Sequence, residues 1–180
     1  SSDLPEKLSN ELCSLRPDEE SLCFSAVFTL NEEAEVLDKW FGRTVILSNR
    51  RFTYEEAQQI IETGKGDFAE EVLTLNRLAQ RMRKTRFKRG AVSFQREEAK
   101  FKLDAEGKPL GVYFKEQKEA NQLIEEFMLL ANKQVAEFCG HHKVNGRAVR
   151  RTMVYRVHDV PNEEKLEKFR TFVLRFGYVF

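Results

Sequence analysis

The densest group of residues that could do chemistry is a basic run at 77–89, with the sequence RLAQRMRKTRFKR. It contains seven cations and no acidic residue: Arg77, Arg81, Arg83, Lys84, Arg86, Lys88 and Arg89. This density of positive charge can follow the phosphates of a nucleic acid. Cations also suit the negative pole of a helix dipole, so a solvated helix end explains the same pattern. The residues alone leave both interpretations open.

Phe94 lies five residues beyond this run, in a predicted strand. An aromatic ring beside a basic stripe is the composition that single-strand-binding proteins use to stack bases. A phenylalanine in a strand is more often part of a hydrophobic core. Phe94 is therefore a candidate for base stacking, with an ordinary structural alternative beside it.

Glu125 stands apart on a helical wheel of the long helix predicted at 118–139. One broad arc carries the apolar residues Leu123, Ile124, Phe127, Met128, Leu130, Ala131, Val135 and Phe138. Glu126 falls with Lys133 on a charged face, whereas Glu125 falls on a stripe that is otherwise apolar. A partly buried carboxylate needs a partner. We therefore expect Glu125 to pair with Lys118 or Lys133, or to accept hydrogen bonds from a ligand's hydroxyl or amino groups.

Motifs for catalysis or metal binding do not accompany these residues. The patterns GxGxxG, GxxxxGK[ST], GxSxG and HExxH are absent from the sequence. The acidic pairs fall in predicted turns or helix starts, where solvation explains them. The three histidines, His141, His142 and His158, lack the spacing of metal ligands. We predict neither a catalytic residue nor a metal site in the chain.

The bulk composition restricts the class of protein. Thirty basic residues against 29 acidic ones leave a formal charge of +1, so any basic site must be local. Cys13, Cys23 and Cys139 match neither a zinc knuckle nor a disulfide framework, which favours reduced thiols. The longest apolar stretches fall short of the roughly 18 residues that a membrane span requires. We expect a cytoplasmic protein with no membrane partner.

Helical and strand periodicities predict a single α+β unit over 1–180, with mixed or antiparallel strands and two long amphipathic helices. The predicted strands lie at 21–30, 36–47, 91–94, 99–103, 110–114 and 153–157. The predicted helices lie at 54–63, 67–85, 118–139 and 163–176. Thr53 and Glu56 fit a capping box at the start of the first helix.

Four stretches resemble, in order, blocks of one catalytic domain. The sequence LPEKLSN at 4–10, followed by LCSLRP at 12–17, resembles the LPxxLSNxLCSLxP stretch of the RNB domain of the ribonuclease II and ribonuclease R family. Later blocks of the same domain resemble RFKRGAVSF at 86–94, LIEEFMLLAN at 123–132 and VYRVH at 154–158. The ribonuclease R branch is the closer fit.

This resemblance implies a Mg²⁺-dependent 3′-to-5′ exoribonuclease, in which single-stranded RNA enters a channel and nucleoside monophosphates are released one at a time. It implies that Phe94 corresponds to the base-stacking phenylalanine, Glu125 to an RNA-contacting glutamate and Tyr54 to a channel tyrosine. The last three cations of the basic run are added to these residues. The predicted RNA-binding residues are therefore Tyr54, Phe94, Glu125, Arg86, Lys88 and Arg89.

Several parts of the family's pattern are missing from this sequence. The aspartate cluster DxxDxDD, which holds magnesium in the family, precedes LPxxLSN there and is absent here. A second stacking tyrosine, an arginine block resembling TSPIRRY and the flanking cold-shock and S1 domains are also absent. We therefore expect the central and later part of an RNB domain, which binds no Mg²⁺, is inactive alone and can self-associate through surfaces that the truncation exposes.

Two other functions are compatible with the residues. A stand-alone RNA-binding module would use Arg86, Lys88, Arg89 and Phe94 without a catalytic parent. A scaffold would instead use the basic helix end to bind an acidic protein partner.

Overall fold

The fold combines helices with antiparallel strand pairs in a computed structural model, which describes residues 5–92, 98–104, 106–115, 117–140, 143–144, 146–149, 154 and 156–179. The strands are β1 (Glu20–Leu30), β2 (Val36–Leu47), β3 (Glu98–Leu103), β4 (Pro109–Lys115), β5 (Lys143–Val144) and β6 (Arg147–Ala148). The helices are α1 (Tyr54–Thr63), α2 (Ala69–Lys88), α3 (Glu119–Gly140) and α4 (Glu163–Leu174), and a π-helical segment spans Lys7–Leu12. The predicted α+β class is confirmed.

Two predicted strands differ from the structure. Ala91 and Val92 are irregular, because α2 continues to Lys88 and the next residues form its exit; the rest of the predicted strand at 91–94 lies outside the described residues. Val154 is irregular too, as is the described end of the predicted strand at 153–157. Within the described part of the chain, no strand pairs with either segment, and an isolated strand lacks partners for its backbone groups.

The β1–β2 hairpin supplies a platform for α3. One face of the hairpin carries Phe28 and Phe41, whose ring centroids are 6.0 Å apart in an edge-to-face arrangement. Phe41 contacts Phe138 of α3 with a centroid distance of 4.8 Å. Lys39 Nζ donates a hydrogen bond of 2.8 Å to Gln134 Oε1 on the same helix. These contacts fix the C-terminal half of α3 against β2.

The other end of that hairpin face is exposed. Leu22 and Phe24 are 88% and 84% accessible, and Val45 lies opposite Leu22 in the register. Exposed apolar surface of this kind commonly marks a contact with another protein segment. The predicted self-association would involve such a surface, and it stays a prediction.

Local capping fixes the start and the end of α1. The backbone N–H of Thr53 donates to Glu56 Oε2 at 2.8 Å, and the Glu56 N–H donates to the Thr53 hydroxyl at 3.1 Å, so the predicted capping box is confirmed. Hydrogen bonds from the Thr53 backbone and hydroxyl hold the pKa of Glu56 below its ordinary value. Gly64, at φ +68°, ends the helix in the left-handed conformation that a residue without Cβ adopts freely.

The described core lies where α1, α2 and α3 meet. Its buried apolar residues are Ile60, Val72, Ala79, Ala120 and Leu123. Polar contacts join the same helices: Gln58 Oε1 accepts from the Ala120 N–H at 3.0 Å, and Asn76 Nδ2 donates to Glu119 Oε2 at 2.9 Å. The three helices therefore pack around a small apolar core and are joined by specific hydrogen bonds.

The chain divides into two compact units, 1–138 and 139–180. The second unit contains the short β5–β6 pair and α4, which is capped by the Asn162 side chain accepting from the Lys165 N–H at 3.0 Å. The expectation of a single unit over 1–180 stays a prediction.

Candidate nucleic-acid interface

The seven cations of the basic run fall on different faces of α2. A helix turns about 100° per residue, which places Arg83 and Arg86 within about 40° of the buried face formed by Val72 and Ala79. The other cations of the helix lie on its outer side. The phase of the helix thus separates inward-facing arginines from outward-facing cations.

The inward-facing arginines converge on Glu126 of α3, whose side chain is only 3% exposed. Arg86 donates to Glu126 Oε1 from Nη2 at 2.5 Å and from Nε at 3.1 Å. Arg86 Nη2 also donates to Glu125 Oε1 at 3.1 Å, and Arg83 Nη1 lies 3.9 Å from Glu126 Oε1. Hydrogen bonding to Glu126 raises the pKa of Arg86 despite its partial burial, so the guanidinium stays charged. We call these four residues the α2–α3 charge cluster.

An aromatic ring supports the two arginines of the cluster. The guanidinium carbons of Arg83 and Arg86 lie 4.7 Å and 5.2 Å from the centroid of the Phe87 ring. Cations at this distance from an aromatic face are attracted to it. Phe87 therefore helps to hold both side chains in the geometry that meets Glu126.

The helical wheel of α3 gave a wrong position for Glu126 and a wrong partner for Glu125. Glu126 was placed on a charged face with Lys133, but it is buried because α2 packs against that edge of the helix. Glu125 is half-covered as expected, with its side chain 43% exposed. Its partner is Arg86, whereas Lys118 and Lys133 pair with other carboxylates on the surface.

A signal for Glu126 was present in the sequence of α2. Arg83 and Arg86 share the helical face of Val72 and Ala79, which is the face that a neighbouring helix covers. Buried cations require a carboxylate, so the phase of α2 predicts an acidic partner on the helix that packs there. Arg83 and Glu126 were not among the predicted site residues, because the run was interpreted from its composition and not from its helical phase.

Of the remaining predicted RNA-binding residues, Arg89 and Tyr54 line two different cavities. Lys88 and Arg89 are exposed, and neither forms an ion pair with any residue that the structure describes. Arg89 lines a cavity of about 820 Å³ together with Arg86, beside the β1–β2 turn. Tyr54, 43% exposed at the start of α1, lines a different, mainly apolar cavity of about 550 Å³. Phe94 lies outside the described residues.

Comparison with known proteins decides the family. The family model of the RNB domain matches residues 4–178. The chain belongs to the RNB domain family. The resemblance noted in the sequence is confirmed, and ribonuclease R as the branch stays a prediction.

Individual RNB proteins match nearly the whole chain. DIS3-like exonuclease 2 of Schizosaccharomyces pombe is 38% identical over 98% of this chain and 20% of its own length. The Inactive exonuclease DIS3L2 of Arabidopsis thaliana is 35% identical over 97% of this chain and 17% of its own length. The chain therefore spans about a fifth of the length of these curated relatives.

A solved RNB structure supports the fold. Mycoplasma genitalium RNase R in complex with double-stranded RNA superposes with a TM-score of 0.80 over 96% of this chain and 30% of its own, at 24% identity. At that identity the likeness shows the fold alone.

Magnesium, which the family resemblance implies, does not fit the described residues of this chain. They contain no group of three or more histidine, cysteine, aspartate or glutamate side chains that could hold a metal ion. The adjacent carboxylates of Glu125 and Glu126 are both engaged by Arg86. In the same described part, no helix has the length and apolar character to cross a membrane.

Proposed function

We propose that this chain forms an RNA-binding part of an exoribonuclease that degrades single-stranded RNA from its 3′ end to nucleoside monophosphates. The match of the RNB family to residues 4–178 carries this proposal. In it, the chain binds and orients RNA, and hydrolysis with Mg²⁺ belongs to residues of a longer protein.

Glu125 is the residue whose surroundings best suit contact with RNA. Its carboxylate is half-exposed, and one oxygen is held by Arg86 at 3.1 Å. An ionised carboxylate has about four acceptor sites, so the bond to Arg86 leaves others for a ligand. The 2′-hydroxyl of ribose is a suitable donor, and it distinguishes RNA from DNA. We assign Glu125 to ribose recognition.

The other predicted residues complete the binding surface. Exposed Lys88 and Arg89 are assigned to phosphates, since a guanidinium or ammonium without a carboxylate partner is available to one. Phe94 is assigned to base stacking and Tyr54 to the channel wall, as the family resemblance implies. Arg86 reaches RNA only through donors that its two glutamates leave unused, and its first role is to orient Glu125.

An RNA-binding and cleavage assay tests this function. The chain is mixed with a labelled single-stranded oligoribonucleotide, with and without Mg²⁺, over a range of salt concentrations. We expect weak binding that falls with salt, and no release of nucleoside monophosphates. Cleavage by the pure chain would show a catalytic site within it, and the division between binding and hydrolysis would be wrong.

A stand-alone RNA-binding protein is a second candidate, and one observation favours it. A relative that is 35% identical over 97% of the chain is named an inactive exonuclease. An RNB fold therefore does not by itself imply hydrolysis. The test is the coding sequence upstream of residue 1: an aspartate cluster of the form DxxDxDD there supports the exoribonuclease, and its absence supports the binding protein.

A further inference from the structure

Four cations form a continuous stripe on the outer face of α2. Arg77, Arg81, Lys84 and Lys88 follow the spacing i, i+4, i+7 and i+11, which places them within about 60° of one another. They lie opposite the buried face of the helix and extend over about 16 Å along its axis. We call this set the outer stripe. It is distinct from the α2–α3 charge cluster, which faces the other way.

The outer stripe is almost free of counter-charges. Arg77, Lys84 and Lys88 are exposed and form no ion pair within the described part of the chain. Arg81 pairs with Glu33 of the β1–β2 turn, and the two side chains are 38% and 71% exposed. Exposed ion pairs contribute little to stability. A phosphate can therefore replace Glu33 at little expense in stability.

Helix stability does not explain the stripe. The helix dipole favours cations within the last turn only, and Arg77 lies three turns before the end of α2 at Lys88. The residues 72–88 include no acidic side chain that could neutralise the stripe from within the helix. Like charges at i and i+4 destabilise a helix. The stripe therefore weakens α2, and helix stability is not its role.

We propose that the outer stripe binds the phosphate backbone of RNA and extends along α2 from Lys88, which the proposed function assigns to phosphate, to Arg77 on the side of the helix that faces away from Glu125. The inference rests on the proposed RNA-binding function and extends it. Cations that recur about once per helical turn suit a polymer that carries one negative charge per nucleotide. Because α2 separates the stripe from Glu125, the two sites contact different nucleotides of one strand. RNA held at Glu125 thus continues along, or arrives over, the outside of α2.

The salt dependence of RNA binding tests this surface. The stripe variant combines Arg77→Gln, Arg81→Gln and Lys84→Gln in the full chain and keeps Lys88, which the proposed function already assigns to phosphate. Its matched control combines Lys65→Gln, Lys102→Gln and Lys108→Gln, which removes the same charge from exposed lysines on other elements. The probe is a labelled oligouridylate long enough to reach both sites, and circular dichroism checks that α2 remains folded. Binding of a labelled polyglutamate is measured in parallel.

We expect the slope of log Kd against log salt to fall by about 2 in the stripe variant, at about 0.7 for each single-strand phosphate contact. The control variant should keep the wild-type slope. If wild type binds the oligouridylate and the stripe variant keeps the wild-type slope, the outer stripe does not bind RNA, whereas the proposed function stands. An equal loss in the control would mean diffuse attraction and would also overturn the proposal. If the stripe variant loses polyglutamate binding but keeps RNA binding, the stripe binds an acidic protein and the proposal is overturned. If the wild-type chain binds no RNA, both the stripe proposal and the proposed function are overturned.

Discussion

The inner and outer faces of α2 carry the same residue types with opposite surroundings. On the inner face, Arg83 and Arg86 meet a glutamate that is 3% exposed. On the outer face, Arg77 and Lys84 are exposed and pair with no carboxylate of the described chain. The density of charge in a sequence therefore does not reveal its role. Helical phase and the presence of a partner do.

The inner face shows why a buried ion pair is costly to disturb. Removing a carboxylate and a guanidinium from water has a desolvation penalty that their attraction only partly offsets. The pair thus adds little net stability compared with apolar residues of the same shape. Loss of one partner leaves the other charged and partly buried, which is strongly destabilising. Specific placement of Glu125 through Arg86 is the benefit that we assign to this arrangement.

Glu126→Ala should have the largest effect on stability. It leaves Arg86 and Arg83 without their shared carboxylate, and we expect the free energy of unfolding to fall by about 2–3 kcal/mol. The loss stays below that of a fully buried pair because the Arg86 side chain is 31% exposed. Urea unfolding followed by circular dichroism measures it. A loss no larger than that of Glu125→Ala would contradict the distinction between the two glutamates.

Glu125→Ala should mainly affect RNA binding. We expect RNA affinity to fall about tenfold, which corresponds to one hydrogen bond of about 1.4 kcal/mol to a charged acceptor. Affinity for a DNA oligonucleotide of the same sequence should hardly change, since DNA lacks the 2′-hydroxyl. Fluorescence anisotropy with both probes gives the ratio. An equal change with RNA and DNA would show that Glu125 does not read the ribose.

The features of this fold that could be predicted from the sequence are mainly local ones. The capping box of Thr53 and Glu56 was predicted correctly because both residues lie within one helical turn. The strand pair from Glu20 to Leu47 was predicted from its own composition and turn. Glu126 was misplaced because its partner Arg86 lies 40 positions away on another helix. A wheel describes one helix, whereas burial depends on which neighbour covers which edge.

The candidate site was predictable only in part, because one of its features depends on how two helices pack. The family resemblance assigned Glu125, and the structure shows its half-exposed carboxylate bound to Arg86. The resemblance gave no hint that Arg86 is engaged by two glutamates instead of being free for phosphate. That feature depends on the packing of α2 against α3. The RNA-binding roles themselves stay predictions.

The smallest expected effects provide the sharpest test of the two faces. Lys84→Gln removes a like-charge contact at i+4 with Lys88 and another at i−3 with Arg81, so we expect a gain of about 0.2–0.5 kcal/mol in unfolding free energy. Arg86→Gln, only two positions away, should instead destabilise the chain, because Glu126 remains buried without its main donor. The comparison uses the same replacement residue in the same turn of α2, so helix propensity contributes almost equally to both. Urea unfolding at low salt, where surface repulsion is least screened, measures both variants. Changes of opposite sign in the unfolding free energy support the division of α2 into an inner structural face and an outer face available to a polyanion. Two losses of equal size would mean that Lys84 also stabilises the fold.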